Sequence, residues 1–183
     1  ETSFYGRNEF LNFDSKNIMG TNVNIAGIGI KENGYHTYLY PTLPRAALPY
    51  TYFPDINGSF VIRTLNGIDA ATESDYTWVH FSLDTQSKNP KEKIYVYGAF
   101  NNYAMEEENM LRFNKDSQML EATLQLKQGF YNYTFATLEK NQVSTRYVGG
   151  SFFETENDYT VLVYFKPFGA RISEIIGVAK INS

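Results

Sequence analysis

Residue types alternate with a period of two along most of this chain, and nowhere does a 3.6-residue period persist. The alternation is clear in Tyr76-Thr-Trp78-Val-His80-Phe-Ser82-Leu83, Ile94-Tyr-Val96-Tyr97 and Leu120-Glu-Ala122-Thr-Leu124-Gln-Leu126. It recurs in Phe130-Tyr-Asn132-Tyr-Thr134-Phe135 and Tyr159-Thr-Val161-Leu-Val163-Tyr-Phe165. A period of two places successive side chains on opposite faces of a sheet, so these runs read as strands. Further strands are expected at Glu9–Phe13, Val23–Ile30, Tyr35–Tyr40, Ser59–Thr64 and Arg171–Ile181. The 15 Tyr and 14 Phe favour the same answer, because aromatic rings suit half-buried pleated surfaces. The fold class is therefore all-β, an antiparallel β-sandwich, with at most one helical turn at Met105–Leu111.

Turn residues punctuate the strands at Asn33-Gly34, Asn57-Gly58, Asn66-Gly67, Gln128-Gly129 and Gly149-Gly150. Asn33-Gly34 lies between two strand runs and suits a tight hairpin. The stretch Pro41–Pro54 holds four of the six prolines, so it is not a helix. It also carries Leu43, Leu48, Tyr50, Tyr52 and Phe53, more apolar bulk than a solvated linker needs. We read it as an ordered, extended loop packed on a sheet. A polar segment, Asp69–Asp75, marks the clearest boundary, and the charged stretch Asp84–Lys93 reads as a solvated loop. At 183 residues the chain divides into residues 1–74, a β region with the proline-bearing loop, and residues 75–183, a β-sandwich.

Composition removes several classes of function. There is no Cys, which excludes disulfides, thiolate metal sites and cysteine nucleophiles. Two His cannot make a three-histidine metal site, and no cofactor motif is present. A net charge of −4 without a basic stripe argues against a nucleic-acid partner. No apolar run reaches the ~18 residues of a membrane-spanning helix. No signal-peptide pattern is visible, and a first residue of Glu1 suggests an excised or processed piece.

The residues that carry chemistry elsewhere are sparse or scattered. His36 and His80 lie in strand runs, with His80 on one face with Trp78 and Ser82, and read as surface or rim histidines. There is no Gly-x-Ser-x-Gly elbow. Glu106-Glu107-Glu108 reads as a solvated turn, since glycosidase carboxylates face each other across a cleft. Asp55-Ile-Asn57-Gly58 is a fragment of a calcium-loop pattern that stops at Gly58, and an Asx turn explains it. Gly27-Ile-Gly29 lies inside a strand and is not a nucleotide loop. Of the two Asn-x-Ser/Thr sequons, at Asn57 and Asn132, the second falls within a strand. The abundant rings either line a sugar-stacking face or fill the core, and the core is the commoner use.

One stretch carries a recognisable order. Gly98-Ala-Phe100-Asn101-Asn102-Tyr103 is followed by Gln128-Gly129-Phe-Tyr131-Asn-Tyr133-Thr-Phe135. This resembles the early-set immunoglobulin-like modules of glycogen-binding domains. The sugar-stacking Trp of that family aligns with Tyr103, and its Lys with Thr134. No Trp occupies Leu138–Arg146, where a second stacking ring would be expected.

A second resemblance spans the chain. It rests on Gly6-Arg-Asn-Glu9-Phe-Leu-Asn-Phe13-Asp14, Tyr35-His-Thr-Tyr-Leu-Tyr40-Pro41, Asp55-Ile-Asn-Gly58-Ser-Phe60 and Ala71-Thr-Glu-Ser-Asp75-Tyr76. It continues in Leu126-Lys-Gln-Gly-Phe-Tyr-Asn-Tyr133 and Gly150-Ser-Phe-Phe-Glu154-Thr-Glu-Asn157-Asp-Tyr159. Together these resemble the C-terminal half of the type IX secretion system plug proteins of Bacteroidota, whose members are longer and begin with a further immunoglobulin-like domain. The resemblance implies a non-enzymatic periplasmic protein. It would close the periplasmic mouth of a large outer-membrane translocon barrel. From residue type we take loop tyrosines Tyr50, Tyr52 and Tyr103 as protein-binding anchors. The alternative is a carbohydrate-binding module of a cell-surface glycan system, using Tyr103.

Overall fold

The computed structural model describes residues 5–85, 92–139 and 142–182. Parts of the stretches read as Asp84–Lys93 and Leu138–Arg146 lie outside them. Two five-stranded sheets enclose one core and a two-stranded ribbon forms a third sheet, an all-β sandwich. The first sheet is organised around its longest strand, β9 (Gly129–Glu139). At Tyr131 it is flanked by β1 (Leu11–Asp14) and β4 (Phe60–Ile62). At Thr137 it is flanked by β6 (Ile94–Tyr97) and β10 (Gln142–Ser144). All four neighbours run antiparallel to it.

The second sheet runs β2 (Ile25–Lys31), β3 (Gly34–Leu39), β5 (Tyr76–Leu83), β8 (Met119–Lys127) and β7 (Arg112–Asn114). β2 and β3 form the expected hairpin. Lys31 pairs with Gly34 around a two-residue loop, and Gly34 takes φ +111°, which favours glycine. β3 and β5 are parallel, and Thr42 bridges Leu83 in the same sense, both departures from the antiparallel expectation. The expected turn at Met105–Leu111 is a short 3₁₀ segment, Glu107–Asn109. Two single helical turns, Ala70–Glu73 and Arg146–Gly149, were not expected.

The regions on either side of residue 75 share both sheets. β1 and β4 flank β9 in the first, and β2–β3 extend β5 in the second. The reason lies in the core. Phe13, fully buried, stacks on Tyr131 with ring centroids 5.1 Å apart, and meets Phe81 and Tyr133 edge-on at 5.9 and 6.0 Å. Val79, Leu83, Val96 and Phe135 close the same core. A Phe at residue 13 thus finds its apolar partners beyond residue 75, and burial of these large rings holds the sheets together.

The ribbon, β11 (Asp158–Phe165) and β12 (Glu174–Asn182), is antiparallel. It pairs with neither five-stranded sheet among the described residues.

Candidate functional site

The motif Gly98–Tyr103 builds a turn at the end of β6 and aims one ring. Asn101 Oδ1 accepts from the Gly98 N–H (3.2 Å) and its Nδ2 donates to the Val96 carbonyl (3.0 Å). A Cβ at Gly98 would sit 2.5 Å from the Phe100 ring, so only glycine fits without movement. Asn102 and Tyr103 both have left-handed backbones, φ +52° and +55°. For a bulky Tyr that conformation is a strain, held here by surrounding contacts. Its hydroxyl donates to the Gly58 carbonyl (3.3 Å) and its ring leans on Tyr97 at 5.1 Å.

Tyr103 thereby enters a cleft of about 420 Å³. Tyr97 and Thr134 come from β6 and β9, and Val143 from β10. Asn57 and the segment Arg7, Asn8 and Phe10 complete the wall. Burial, chiefly, pushes the Tyr97 phenol above its usual range, so it presents a hydroxyl donor at neutral pH. An aromatic floor ringed by amide, hydroxyl and guanidinium groups suits a neutral polyhydroxylated ligand by stacking and hydrogen bonding. Among the described residues that line it, the cleft has no carboxylate and no histidine.

Asn132, read as a possible sequon, is fully buried. Its Oδ1 accepts from the Ile56 N–H (2.6 Å) and the Gly58 N–H (3.3 Å). Asp55 accepts from the N–H groups of Asn57 (2.7 Å) and Phe10 (2.9 Å). The Asp55–Gly58 segment is thus an Asx turn that also ties the N-terminal segment down. Among the described residues no cluster of three His, Asp or Glu has a metal-binding arrangement.

The proline-bearing loop is tied to the body by backbone and Arg45 hydrogen bonds, but none of residues 41–54 is buried, so the packing expected of its apolar side chains is not seen. The Arg45 N–H donates to the Val148 carbonyl (2.7 Å) and the Arg45 guanidinium to the Glu9 carbonyl (2.7 Å). Its outer surface exposes Leu43, Leu48, Tyr52 and Phe53. Two shallow depressions of about 380 and 330 Å³ run beneath, both lined by Arg45, Leu48 and Phe53. The three anchor candidates fare differently. Tyr52 is exposed on this loop, and Tyr103 is partly exposed in the cleft. Tyr50 is half-buried, donates its hydroxyl to the Glu9 carboxylate and leans on Phe152 at 5.8 Å. Its phenol is pushed well up by burial and by Glu9, which fits a structural tie more than an exposed anchor.

One arrangement escaped the sequence reading. The parallel pairing of β3 with β5 sets His36 Nδ1 2.8 Å from His80 Nε2. His36 Nε2 meets Asn33 Oδ1 at 2.8 Å, and Thr123 Oγ1 meets His80 Nδ1 at 3.0 Å. A consistent assignment has Thr123 donating to His80, His80 to His36, and His36 to Asn33, with both rings neutral. Tyr38 stacks on His80 with centroids 4.2 Å apart. Burial, then His36 and Lys31, hold His80 down at about 4. Burial and Lys31 also lower His36. The chain of bonds ends in an amide and a hydroxyl rather than a carboxylate, so it braces the outer face of the sheet.

No family model matches the chain, and no characterised protein matches it. The crystal structure of a hypothetical protein from Parabacteroides merdae superposes over 98% of this chain with a TM-score of 0.88 at 28% sequence identity. The match covers 46% of that protein's chain, so this chain spans about half the length of its structural neighbour. Among the described residues no helix is long and apolar enough to cross a membrane.

Proposed function

We propose that the chain is a non-enzymatic periplasmic binding and gating module that closes the translocon barrel of the type IX secretion system. The order of motifs along the whole chain supports this reading, and one structural observation carries it. The proline-bearing loop is pinned from beneath by Arg45 yet presents Leu43, Leu48, Tyr52 and Phe53 to solvent. A group of large apolar side chains held out to solvent is the expected form of a protein-docking surface. The mechanism is steric: a preorganised sandwich covers a pore by surface complementarity, with aromatic anchors at the contact. The test is co-purification of a tagged chain with outer-membrane barrels from solubilised membranes. Tyr52→Ala and Phe53→Ala should reduce recovery of one very large barrel about tenfold or more. Undiminished recovery removes the loop from the docking face, and recovery of no barrel removes the reading.

A specific observation also favours the second reading, a carbohydrate-binding module. Tyr103 and Thr134, the two positions that align with the sugar-binding residues of glycogen-binding modules, line the same cleft with Tyr97. Retardation in gels containing glycogen or starch, lost in Tyr103→Ala, would support it. Unchanged mobility of the unsubstituted chain would sink it.

A further inference from the structure

Over Val161–Phe165 the β11–β12 ribbon is apolar on both faces, whereas Asp158, Thr160, Lys180 and Asn182 make one face polar at its other end. One side of β11 carries Tyr159, Val161, Val163 and Phe165, and the other carries Thr160, Leu162 and Tyr164. Val161 to Phe165 are all exposed, as are Ile175, Ile176 and Val178 opposite them. An exposed two-stranded ribbon is marginal in water, and a run apolar on both faces belongs in a larger sheet. Among the described residues neither edge of the ribbon pairs with a further strand, and the two edges are not equivalent. β12 carries an irregularity at Ile176, the extra residue where the register shifts between Val163 and Tyr164. A bulge of that kind blunts an edge against further pairing. β11 runs from Asp158 to Phe165 without interruption, and its first proline comes at Pro167.

We propose that β11 is the seam of a homodimer: two copies pair their β11 strands antiparallel about a twofold axis at Leu162, joining the ribbons into one four-stranded sheet. The sequence of the edge is self-complementary in this register. Asp158 of each copy lies opposite Lys166 of the other, Tyr159 opposite Phe165, Thr160 opposite Tyr164, Val161 opposite Val163, and Leu162 opposite its own copy. Cross-strand aromatic, β-branched and opposite-charge pairs are the ones that stabilise antiparallel sheets. Moving the axis by one residue, to Val161 or Val163, sets Asp158 opposite Tyr164 or Phe168 and breaks both ion pairs. The same register carries the loop after β11 toward the other copy's body. There Asp158 and Tyr159 line a cleft of about 600 Å³ with Tyr5, Glu139 and Arg146.

The absence of cysteine makes a direct test available. Residues directly opposite in an antiparallel pair have Cα atoms about 4.5–5.5 Å apart, within disulfide range. Under mild oxidation Leu162→Cys should therefore give a covalent dimer on a non-reducing gel. Thr160→Cys alone should not, because its copy lies four residues away, whereas a mixture of Thr160→Cys and Tyr164→Cys should. Charge gives an independent measure by sedimentation. Asp158→Lys or Lys166→Asp alone should weaken dimerisation about tenfold, and mixing the two variants should restore it. A chain that stays monomeric at about 100 µM, or cross-links equally from Leu162→Cys and Thr160→Cys, overturns the proposal. Failure of every cross-link assigns the ribbon to another polypeptide and overturns it equally.

Discussion

Replacing Phe13 by Ala tests whether the strands before residue 75 and the sandwich after it fold as one body. Phe13 has no exposed surface, and its ring touches Tyr131, Phe81 and Tyr133 at centroid distances of 5.1, 5.9 and 6.0 Å. Truncating a buried Phe costs about 3–5 kcal/mol, and three aromatic contacts put this site near the top of that range. We expect about 4–5 kcal/mol, a large share of the roughly 5–15 kcal/mol that stabilises a domain. With a urea dependence of about 2 kcal/mol/M, the midpoint should fall by about 2 M. The reporter is built in. Trp78 is the sole tryptophan, lies in the opposite sheet, and donates its indole N–H to the Asn33 carbonyl (3.1 Å). Its fluorescence and far-UV circular dichroism should move together, in a single transition, in both proteins. Phe13→Leu should cost only about 1–1.5 kcal/mol, since it keeps most of the apolar volume. A Trp78 midpoint that shifts by less than about 0.5 M, or a variant that unfolds in two separate steps, would refute the reasoning.

Three further outcomes are expected. The neutral His36–His80 pair binds fewer protons folded than unfolded, so its stabilisation is complete above pH about 6.5 and is lost as pH falls toward 4. After allowance for solvent screening at the half-buried His80 ring, the loss should be about 2 kcal/mol. Urea titrations across that window should show it, and a His80→Gln variant should have a visibly flatter pH slope. Asn132→Ala should lower stability by about 2–4 kcal/mol, because it leaves the Ile56 and Gly58 N–H groups without their acceptor; an unchanged thermal midpoint would contradict this. Tyr52→Ala should leave stability within about 0.5 kcal/mol, since the ring is exposed, while reducing barrel recovery. A loss of recovery accompanied by a comparable loss of stability would point to misfolding instead.

What the sequence made legible was local. Alternation located β5 and β6 at their observed ends, and β8, β9 and β11 to within a few residues. β10 and β7 are three residues each, too short for a period to appear. Partnership was not legible, because a period of two says which residues share a face but not which strand lies beside them. Phe13 gives no sign that it belongs against Tyr131. His36 and His80, 44 residues apart, come together only because β3 and β5 run parallel. Tyr50 has the composition of an exposed anchor, but Glu9, 41 residues away, claims its hydroxyl. The motif at Gly98–Tyr103 was readable only through its resemblance to glycogen-binding modules, which marked Tyr103 and not the turn that aims it. The wall facing that ring, Arg7 to Phe10, comes from the far end of the chain, and no spacing rule reports it.

The two candidate surfaces are mechanically joined. Asn132, at the centre of the first sheet, holds the N–H groups of Ile56 and Gly58. Gly58 in turn accepts from the Ala99 N–H (3.1 Å) and the Tyr103 hydroxyl, which fixes the floor of the cleft. Asp55, three residues earlier, holds the Phe10 N–H, which fixes its wall. Pro54, Phe53 and Tyr52 immediately precede Asp55, so the exposed aromatic loop leaves from this same knot. Left-handed backbones at Asn57 (φ +55°) and Gly58 (φ +77°) let the chain make the turn. The Ile56 and Gly58 amides that the sheet would otherwise leave unmatched are satisfied by one side-chain oxygen, at the cost of a buried Nδ2 without a partner. Such an arrangement is expensive to keep unless the segment it holds must not move. Under the docking proposal, this knot fixes where the loop leaves the sheet, which lowers the conformational entropy lost when a partner covers it.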